Sequence, residues 1–222
     1  RRIQKVQQVV KPLEGTKTDG QIIVEIMQRM GASEPDYNPE TLLIEIAQIV
    51  PFFNGVKWNE LGINGKQWPV LKDGSDTEIL HTESFKIGRG QFQKASWKES
   101  TELTDNKKDF PYILTTNREL EHYNCGTMTR RTGNAEILTV DTLMIHPDDA
   151  AKNMIADGDM VCIESARGKI DVKARITDEV KPGILSSTFH YPEVSMNILT
   201  SSVTDTDALC PEYKVCAVRI RK

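Results

Sequence analysis

The chain has 222 residues, of which 38% are hydrophobic and 27% are charged, a composition typical of a globular protein with a real core. Its formal net charge of −4 gives no general attraction to nucleic acid or to an anionic membrane. No apolar run approaches the roughly 20 residues that a membrane-spanning helix needs. We therefore expect neither nucleic-acid binding nor membrane insertion.

Cysteine usage predicts no metal site. The four cysteines, at positions 125, 162, 210 and 216, include no CxxC pair, and the four histidines are scattered. This usage favours a reducing compartment, so the cytoplasm is the expected location. The chain starts at Arg1 without a methionine or a signal segment, which indicates a piece of a longer polypeptide. Export of that parent polypeptide stays open as an alternative.

Two helices are predicted in the first fifty residues. Apolar residues recur at helical spacing over residues 20–30, where Asp19 is the expected N-cap, and over residues 39–50. We interpret both apolar stripes as packing surfaces and not as a cofactor site. Without the rest of the longer polypeptide we expect these faces to be exposed and residues 1–105 to be poorly packed. Residues 52–108 lose this periodicity, which predicts irregular chain that wraps over something larger. The polar residues 101–109 mark the expected domain boundary.

The second half of the chain predicts a small mixed β-barrel. Short strands separated by turns are expected at residues 112–114, 141–145, 160–164, 169–176, 184–190 and 214–220. Residues 169–176 alternate apolar and charged side chains, as in a strand with one buried face. A short helix should open at Pro147.

The loop that follows residues 112–114 is dense in hydrogen-bonding groups. Thr, Asn, Arg, Glu, His and Tyr side chains crowd residues 115–129. A loop of this kind, leaving a core strand, fits a ligand cradle held by a rigid scaffold. A solvated polar loop is the alternative that composition leaves open.

Several segments resemble a known family. IHPDDA and IADGDMVCIESARG resemble the C-terminal part of the molybdopterin oxidoreductases, and QWPV, RELEHYNCGTMT and PEYKVCAVRI resemble the catalytic α subunit of formate dehydrogenase. The resemblance implies a mixed α/β, mainly β fold. Residues 108–222 would form a double-psi β-barrel that binds molybdopterin dinucleotide. Residues 1–107 would be the C-terminal remnant of the preceding oxidoreductase domains, made of helices plus irregular wrapping chain.

The resemblance also implies a cofactor, namely a molybdenum or tungsten ion held by two molybdopterin guanine dinucleotides. An iron–sulfur cluster would belong to the missing N-terminal part. In such a site Arg118 would offer a charge-assisted fork to phosphate oxygens, and Glu119 would accept from a guanine or pterin N–H. His190 is a further candidate, and for every candidate surface pairing or packing is the alternative. The cofactor-binding residues carried over from the family are Thr116, Asn117, Arg118, Glu119, His122, Tyr123, Cys125, Asn197, Tyr213 and Lys214.

The reaction implied by the resemblance is oxidation of formate to carbon dioxide. The family's metal-ligating Cys or selenocysteine and its catalytic His lie upstream of the matching region. We therefore expect no catalytic or metal-ligating residue in this chain, and no activity from the chain alone. The implied partners are the missing N-terminal domains of the same polypeptide and electron-transfer subunits. The alternatives are another molybdopterin oxidoreductase, such as one like nitrate reductase, and a non-catalytic double-psi barrel that serves as a binding module.

Overall fold

The computed structural model describes all residues, Arg1–Lys222, as two compact units, Arg1–Gln93 and Lys94–Lys222. The first unit is mostly irregular. Its helices and strands, in chain order, are β1 (Arg2–Ile3), α1 (Asp19–Arg29), α2 (Pro39–Ile49) and β2 (Lys66–Gln67). Single 3-10 turns occur at Pro51–Phe53 and Trp58–Glu60, and β1 pairs antiparallel with β2.

Capping places the start of α1 one residue before the predicted position. The N-cap is Thr18, and the prediction of Asp19 as the cap was wrong. The Thr18 hydroxyl accepts the Gln21 backbone N–H at 3.4 Å, while the Gln21 side-chain oxygen accepts the Thr18 backbone N–H at 2.9 Å. This reciprocal pair is a capping box, which a threonine three residues before glutamine can form and an aspartate before isoleucine cannot.

The apolar stripes of α1 and α2 are largely exposed, as expected for these helices in this chain. Ile23 is 58% exposed, Met30 83% and Ile49 70%. Val24 is the one buried residue of α1, and α2 has none. No helix combines the length and the apolar composition that crossing a membrane requires. The small buried core of this unit lies instead at Val56, Leu61 and Val70.

The second unit is a closed six-stranded barrel with short helices, which confirms the mainly β fold and the barrel expected in the second half. The helices are α3 (Thr101–Asn106), α4 (Asn134–Ile137) and α5 (Pro147–Lys152). The strands are β3 (Tyr112–Thr116), β4 (Thr142–Ile145), β5 (Met160–Glu164), β6 (Lys169–Ile176), β7 (Ile184–Ser187) and β8 (Cys216–Arg221). Single 3-10 turns occur at Thr129–Arg131 and Met196–Leu199.

The barrel closes in the order β3-β7-β4-β6-β5-β8. The pairs β3–β7 and β4–β6 are parallel, and the other neighbours are antiparallel. Strand β6 alternates buried and exposed residues as its sequence predicts, because alternate side chains point to opposite faces. The interior is filled by aliphatic side chains, among them the fully buried Leu114, Leu143, Ile163 and Leu185.

Strand direction brings three loops to one rim of the barrel. Parallel pairing sets Thr116 opposite Ser187, so β3 and β7 end at the same rim. Strand β8 runs antiparallel to β3, with Cys216 opposite Leu114, so the chain that enters β8 meets this rim as well. Three segments therefore converge there, namely residues 117–128 after β3, residues 188–200 after β7 and residues 211–215 before β8.

A buried carboxylate attaches α3 to the barrel. Glu102 is 4% exposed and accepts both guanidinium N–H groups of Arg167, at 2.7 and 2.9 Å. It also accepts the Ser201 hydroxyl at 3.1 Å and the Ala217 backbone N–H at 2.9 Å. These partners lie 65 to 115 residues after Glu102 in the chain. The local polarity of residues 101–109 therefore predicts only a domain boundary and not a packed helix. The compact units divide after Gln93, whereas the domain division predicted from the family resemblance, at residue 107, stays a prediction.

We predict that Glu102→Gln destabilises the barrel by about 3 kcal/mol, because removing one charge of a buried pair leaves the other without compensation. The free energy of unfolding, measured by urea titration, tests this. The matched control is Glu179→Gln, which removes the exposed ion pair with Arg175. That control should change stability little, since exposed pairs contribute little. Equal effects of the two substitutions would contradict a structural role for Glu102.

The same carboxylate predicts sensitivity to acid. Burial pushes the pKa of Glu102 upward, but hydrogen bonds from Arg167, Ala217 and Ser201 and the charge of Arg167 together hold it below the ordinary value of 4.5. A depressed pKa contributes stability that is present above the unfolded-state value and is lost as the pH falls through the folded-state value. The stability difference between wild type and Glu102→Gln should therefore shrink as urea titrations move from neutral pH toward about pH 3. A constant difference would contradict this assignment.

Candidate functional site

The three converging segments enclose a cleft with a volume of about 380 Å³, a size typical of small-molecule sites. Five of the residues predicted to bind a cofactor line it, and no lining side chain is acidic. The structure thus brings together residues that lie almost a hundred positions apart. The lining residues are Thr116, Arg118, Phe189, Asn197, Thr200, Tyr213 and Lys214.

Two cations face this cleft in defined positions. The Arg118 guanidinium lies over the Phe189 ring at 4.8 Å and donates to the Asn124 side-chain oxygen at 3.2 Å. A guanidinium stacked on a ring keeps N–H edges free for an anion. The Lys214 ammonium donates to the backbone carbonyl of Thr116, which fixes it at the end of β3. Two fixed cations with no neighbouring carboxylate in the lining suit a phosphate group.

One buried acceptor, on the residue between Thr116 and Arg118, has no partner, although Asn117 lines neither this cleft nor the second cavity described below. The side-chain oxygen of Asn117 is buried and accepts no hydrogen bond, and it is the only such side-chain atom found in the structure. The Asn117 backbone N–H is satisfied, because it donates to the Ser187 carbonyl at 2.9 Å and extends the β3–β7 pairing. An unsatisfied buried acceptor costs about 1–3 kcal/mol. A ligand N–H in this position would remove that cost.

A second cavity, of about 440 Å³, adjoins the cleft and shares Phe189 and Asn197 with it. Cys125, another predicted residue, lines this second cavity and not the cleft. The rest of its lining is largely apolar, with Tyr191, Pro192, Met196 and Ile198 among its residues. The rim therefore offers a cationic space beside an apolar one.

The remaining predicted residues lie outside both cavities. His122 is buried, where its Nε2–H donates to the Leu138 carbonyl and its Nδ1 accepts from the Thr129 hydroxyl, both at 2.9 Å. Its ring nitrogens are therefore both used inside the protein. Glu119 and Tyr123 line neither cavity, and Tyr123 is 60% exposed.

Sequence reasoning missed Phe189 and Thr200, which line the cleft. Phe189 falls in the strand predicted over residues 184–190, but β7 ends at Ser187 and Phe189 belongs to the loop that follows. An aromatic residue near the end of a predicted strand was the sequence signal that could have identified it as a cleft residue. Thr200 carries no local signal, because only the fold brings it to the rim.

Gly126 shapes the end of the loop that carries Arg118. Its φ is +70°, a conformation that glycine adopts without the cost a side chain would add. A Cβ at this position would lie 2.7 Å from Arg130 Cδ and 2.7 Å from the backbone oxygen of His190. The loop therefore passes the 188–200 segment too closely for any side chain at position 126.

Comparison with known protein families finds a match to the barrel. The profile of the "Molydopterin dinucleotide binding domain" matches residues 112–217, which span β3 to β8. The barrel is similar to a molybdopterin dinucleotide-binding domain. Within the barrel no three His, Cys, Asp or Glu side chains are grouped so that they could hold a metal ion, and the same holds for the first unit.

Two relatives confirm the expected similarity to formate dehydrogenase α subunits. The F420-dependent formate dehydrogenase subunit alpha of Methanocaldococcus jannaschii is 39% identical over 100% of this chain and 34% of its own length. Formate dehydrogenase H of Escherichia coli is 33% identical over 99% of this chain and 32% of its own length. The chain therefore spans about a third of the length of these relatives.

A solved structure shows the same fold at low identity. Acetylene hydratase from Pelobacter acetylenicus matches 97% of this chain and 34% of its own chain, with a TM-score of 0.62 and 17% identity. At this identity the likeness shows the fold alone.

We predict that Gly126→Ala destabilises the barrel by about 1–3 kcal/mol, because a side chain at positive φ is strained and this one also meets a backbone oxygen. Urea titration measures the effect. The control is Gly133→Ala, where φ is −58° and an added Cβ meets nothing within 4 Å. That variant should keep wild-type stability or gain slightly. A neutral Gly126→Ala would show that the loop does not need this conformation.

Proposed function

We propose that this chain is the cofactor-binding C-terminal portion of a formate dehydrogenase that oxidises formate to carbon dioxide. The observation that carries the proposal is the rim cleft, where Arg118 and Lys214 face a space without acidic side chains. The neighbouring residue in the chain, Asn117, has an unsatisfied side-chain oxygen. Phosphates and N–H-bearing heterocycles are the groups that such a set of partners recognises. Both groups occur in a molybdopterin guanine dinucleotide.

Different residues would bind different parts of the cofactor, according to the chemistry of their side chains. Arg118 and Lys214 would bind phosphate oxygens. The Asn117 backbone N–H does not contribute to a phosphate cradle, because it donates to the Ser187 carbonyl. The side-chain oxygens of Asn117 and Asn197 would accept N–H groups of a ring, and Tyr213 would pack beside them. Participation of Glu119, His122, Tyr123 and Cys125 stays a prediction, and for the buried His122 the structure favours support of the loop over direct contact.

The wider setting of the enzyme is part of the proposal. When bound, the molybdenum or tungsten centre of the cofactor supplies the two-electron chemistry, and the protein contributes binding, orientation and electrostatics. The choice of metal, an iron–sulfur cluster elsewhere in the polypeptide and electron-transfer subunits stay predictions, as do the remaining N-terminal domains as partners. A cytoplasmic location is likewise a prediction.

Similarity along the whole chain favours formate over other substrates. Relatives named as formate dehydrogenases match 99–100% of the chain, including the first unit, which a free-standing binding barrel would not need. A different molybdopterin oxidoreductase, such as one like nitrate reductase, and a non-catalytic binding barrel are the alternatives. Because unrelated activities share folds, the fold by itself does not separate them.

We predict that guanosine diphosphate (GDP), used as a stand-in for the distal half of the cofactor, binds the rim cleft of the 222-residue chain. A titration followed by backbone amide NMR should shift Thr116, Asn117, Arg118, Asn197 and Lys214, with strands β5 and β6 unchanged. Arg118→Ala should weaken binding about tenfold, because a charge-assisted hydrogen bond is lost. Arg175→Ala is the control, since Arg175 lines neither cavity.

No shift at millimolar GDP would overturn a preformed cradle in the isolated chain. The deciding measurement would then be the molybdopterin content of the longer parent polypeptide carrying Arg118→Ala. Loss of cofactor there would support the proposal, whereas full retention would remove it.

A further inference from the structure

We propose that His190, supported by Asp141, is a positioning residue that holds the loop of residues 119–124 so that Arg118 faces the cleft. This inference rests on the proposed function and deepens it. His190 is 0% exposed and lines neither cavity, so its ring does not meet a ligand in the cleft. Its contribution has to act through the loop.

The His190 ring joins the two ends of that loop. The Glu119 backbone N–H donates to His190 Nε2 at 3.1 Å, and His190 Nδ1 is hydrogen-bonded to the Asn124 backbone carbonyl. A carbonyl can only accept, so Nδ1 carries the proton and Nε2 is left as the acceptor for Glu119. The neutral ring with the proton on Nδ1 therefore satisfies both contacts at once.

Both contacts bear directly on Arg118. Glu119 is its neighbour in the chain, and the Asn124 side-chain oxygen accepts from the Arg118 guanidinium at 3.2 Å. Asn124 also holds a φ of +47°, a conformation that asparagine tolerates better than most residues. The residues that His190 grips are thus the same residues that set the path and the orientation of Arg118.

A second buried side chain holds His190 itself. Asp141 is 1% exposed and accepts the Thr188 hydroxyl with one oxygen and the Tyr191 backbone N–H, at 2.8 Å, with the other. These two partners flank Phe189 and His190 in the chain. Asp141 therefore fixes the segment that supplies both the ring beneath Arg118 and the imidazole that grips its loop.

A purely space-filling role does not explain this arrangement. An apolar residue could fill a fully buried position without the cost of desolvating two ring nitrogens. Buried polar networks with every member satisfied are known to specify one arrangement of the groups that they join. Here the arrangement specified is that of a loop whose exposed member, Arg118, faces the cleft.

Three substitutions distinguish the effect of losing the two hydrogen bonds from the effect of changing the volume of the ring. His190→Phe keeps a ring and removes both bonds. His190→Gln can place an oxygen near the position of Nε2 and accept from Glu119, whereas His190→Asn can place its amide nitrogen near Nδ1 and donate to Asn124. The matched control is Val172→Ala, which creates a cavity in the barrel core away from the rim, at a residue that is 1% exposed.

The measurements on the 222-residue chain are the dissociation constant for GDP, the amide hydrogen exchange of residues 117–125 and the melting temperature. We expect His190→Phe to weaken GDP binding about tenfold, the cost of losing the placement of one charge-assisted contact. It should also speed exchange at Glu119. His190→Gln should restore slow exchange at Glu119 and most of the affinity. Val172→Ala should lower the melting temperature without changing the GDP affinity or the amide exchange at Glu119.

Affinity in His190→Phe equal to that of Val172→Ala at matched stability would overturn the proposal, as would failure of His190→Gln to restore exchange at Glu119. If His190→Phe does not fold, the Gln and Asn variants decide by the same criteria. Absence of GDP binding in the wild type would count against a preformed cradle in this chain and not against the role of His190. The exchange of residues 117–125 in the unliganded variants would still decide whether His190 holds the loop.

Discussion

The parallel pairing of β3 with β7 is the constraint on which the candidate site depends. It sets Thr116 opposite Ser187 and continues for one more hydrogen bond, from the Asn117 backbone to the Ser187 carbonyl. The loops that follow β3 and β7 therefore leave the barrel at the same rim. The segment before β8 lies at that rim as well, because β8 runs antiparallel to β3. An antiparallel β3–β7 pair would send the two loops to opposite ends of the barrel, and the cleft would not exist.

Two buried carboxylates stabilise what the strand order brings together. Glu102 links α3, the turn at Arg167 and strand β8, and Arg167 in turn donates to the Leu199 carbonyl at 2.7 Å, next to the rim segment that carries Asn197. Asp141 holds the segment around Phe189. Both oxygens of each carboxylate accept hydrogen bonds, and Glu102 is also paired with the Arg167 guanidinium, which helps to compensate for its burial. The rim loops thus depend on polar contacts, while the barrel walls depend on aliphatic packing.

The two compact units differ in how they bury their apolar residues. The barrel has a continuous aliphatic core, whereas α1 and α2 leave isoleucines such as Ile23 and Ile49 more than half exposed. The similarity to a formate dehydrogenase α subunit extends through both units, although the domain profile matches only residues 112–217. Specificity for one ligand therefore has to come from particular rim residues, because the barrel fold itself is shared with an enzyme that is 17% identical.

Local sequence patterns determined the six barrel strands, helices α1, α2 and α5 and the polar loop after β3, because periodicity and turn residues act over a few positions. The resemblance in motifs added Asn197, Tyr213 and Lys214 to that loop. Only the tertiary structure decided that these residues share a cleft with Arg118, that His122 is buried with both nitrogens used, and that the polar residues around Glu102 form a packed helix. Those outcomes depend on partners distant in the chain, such as Arg167 for Glu102 and His190 for the loop, which no local pattern specifies.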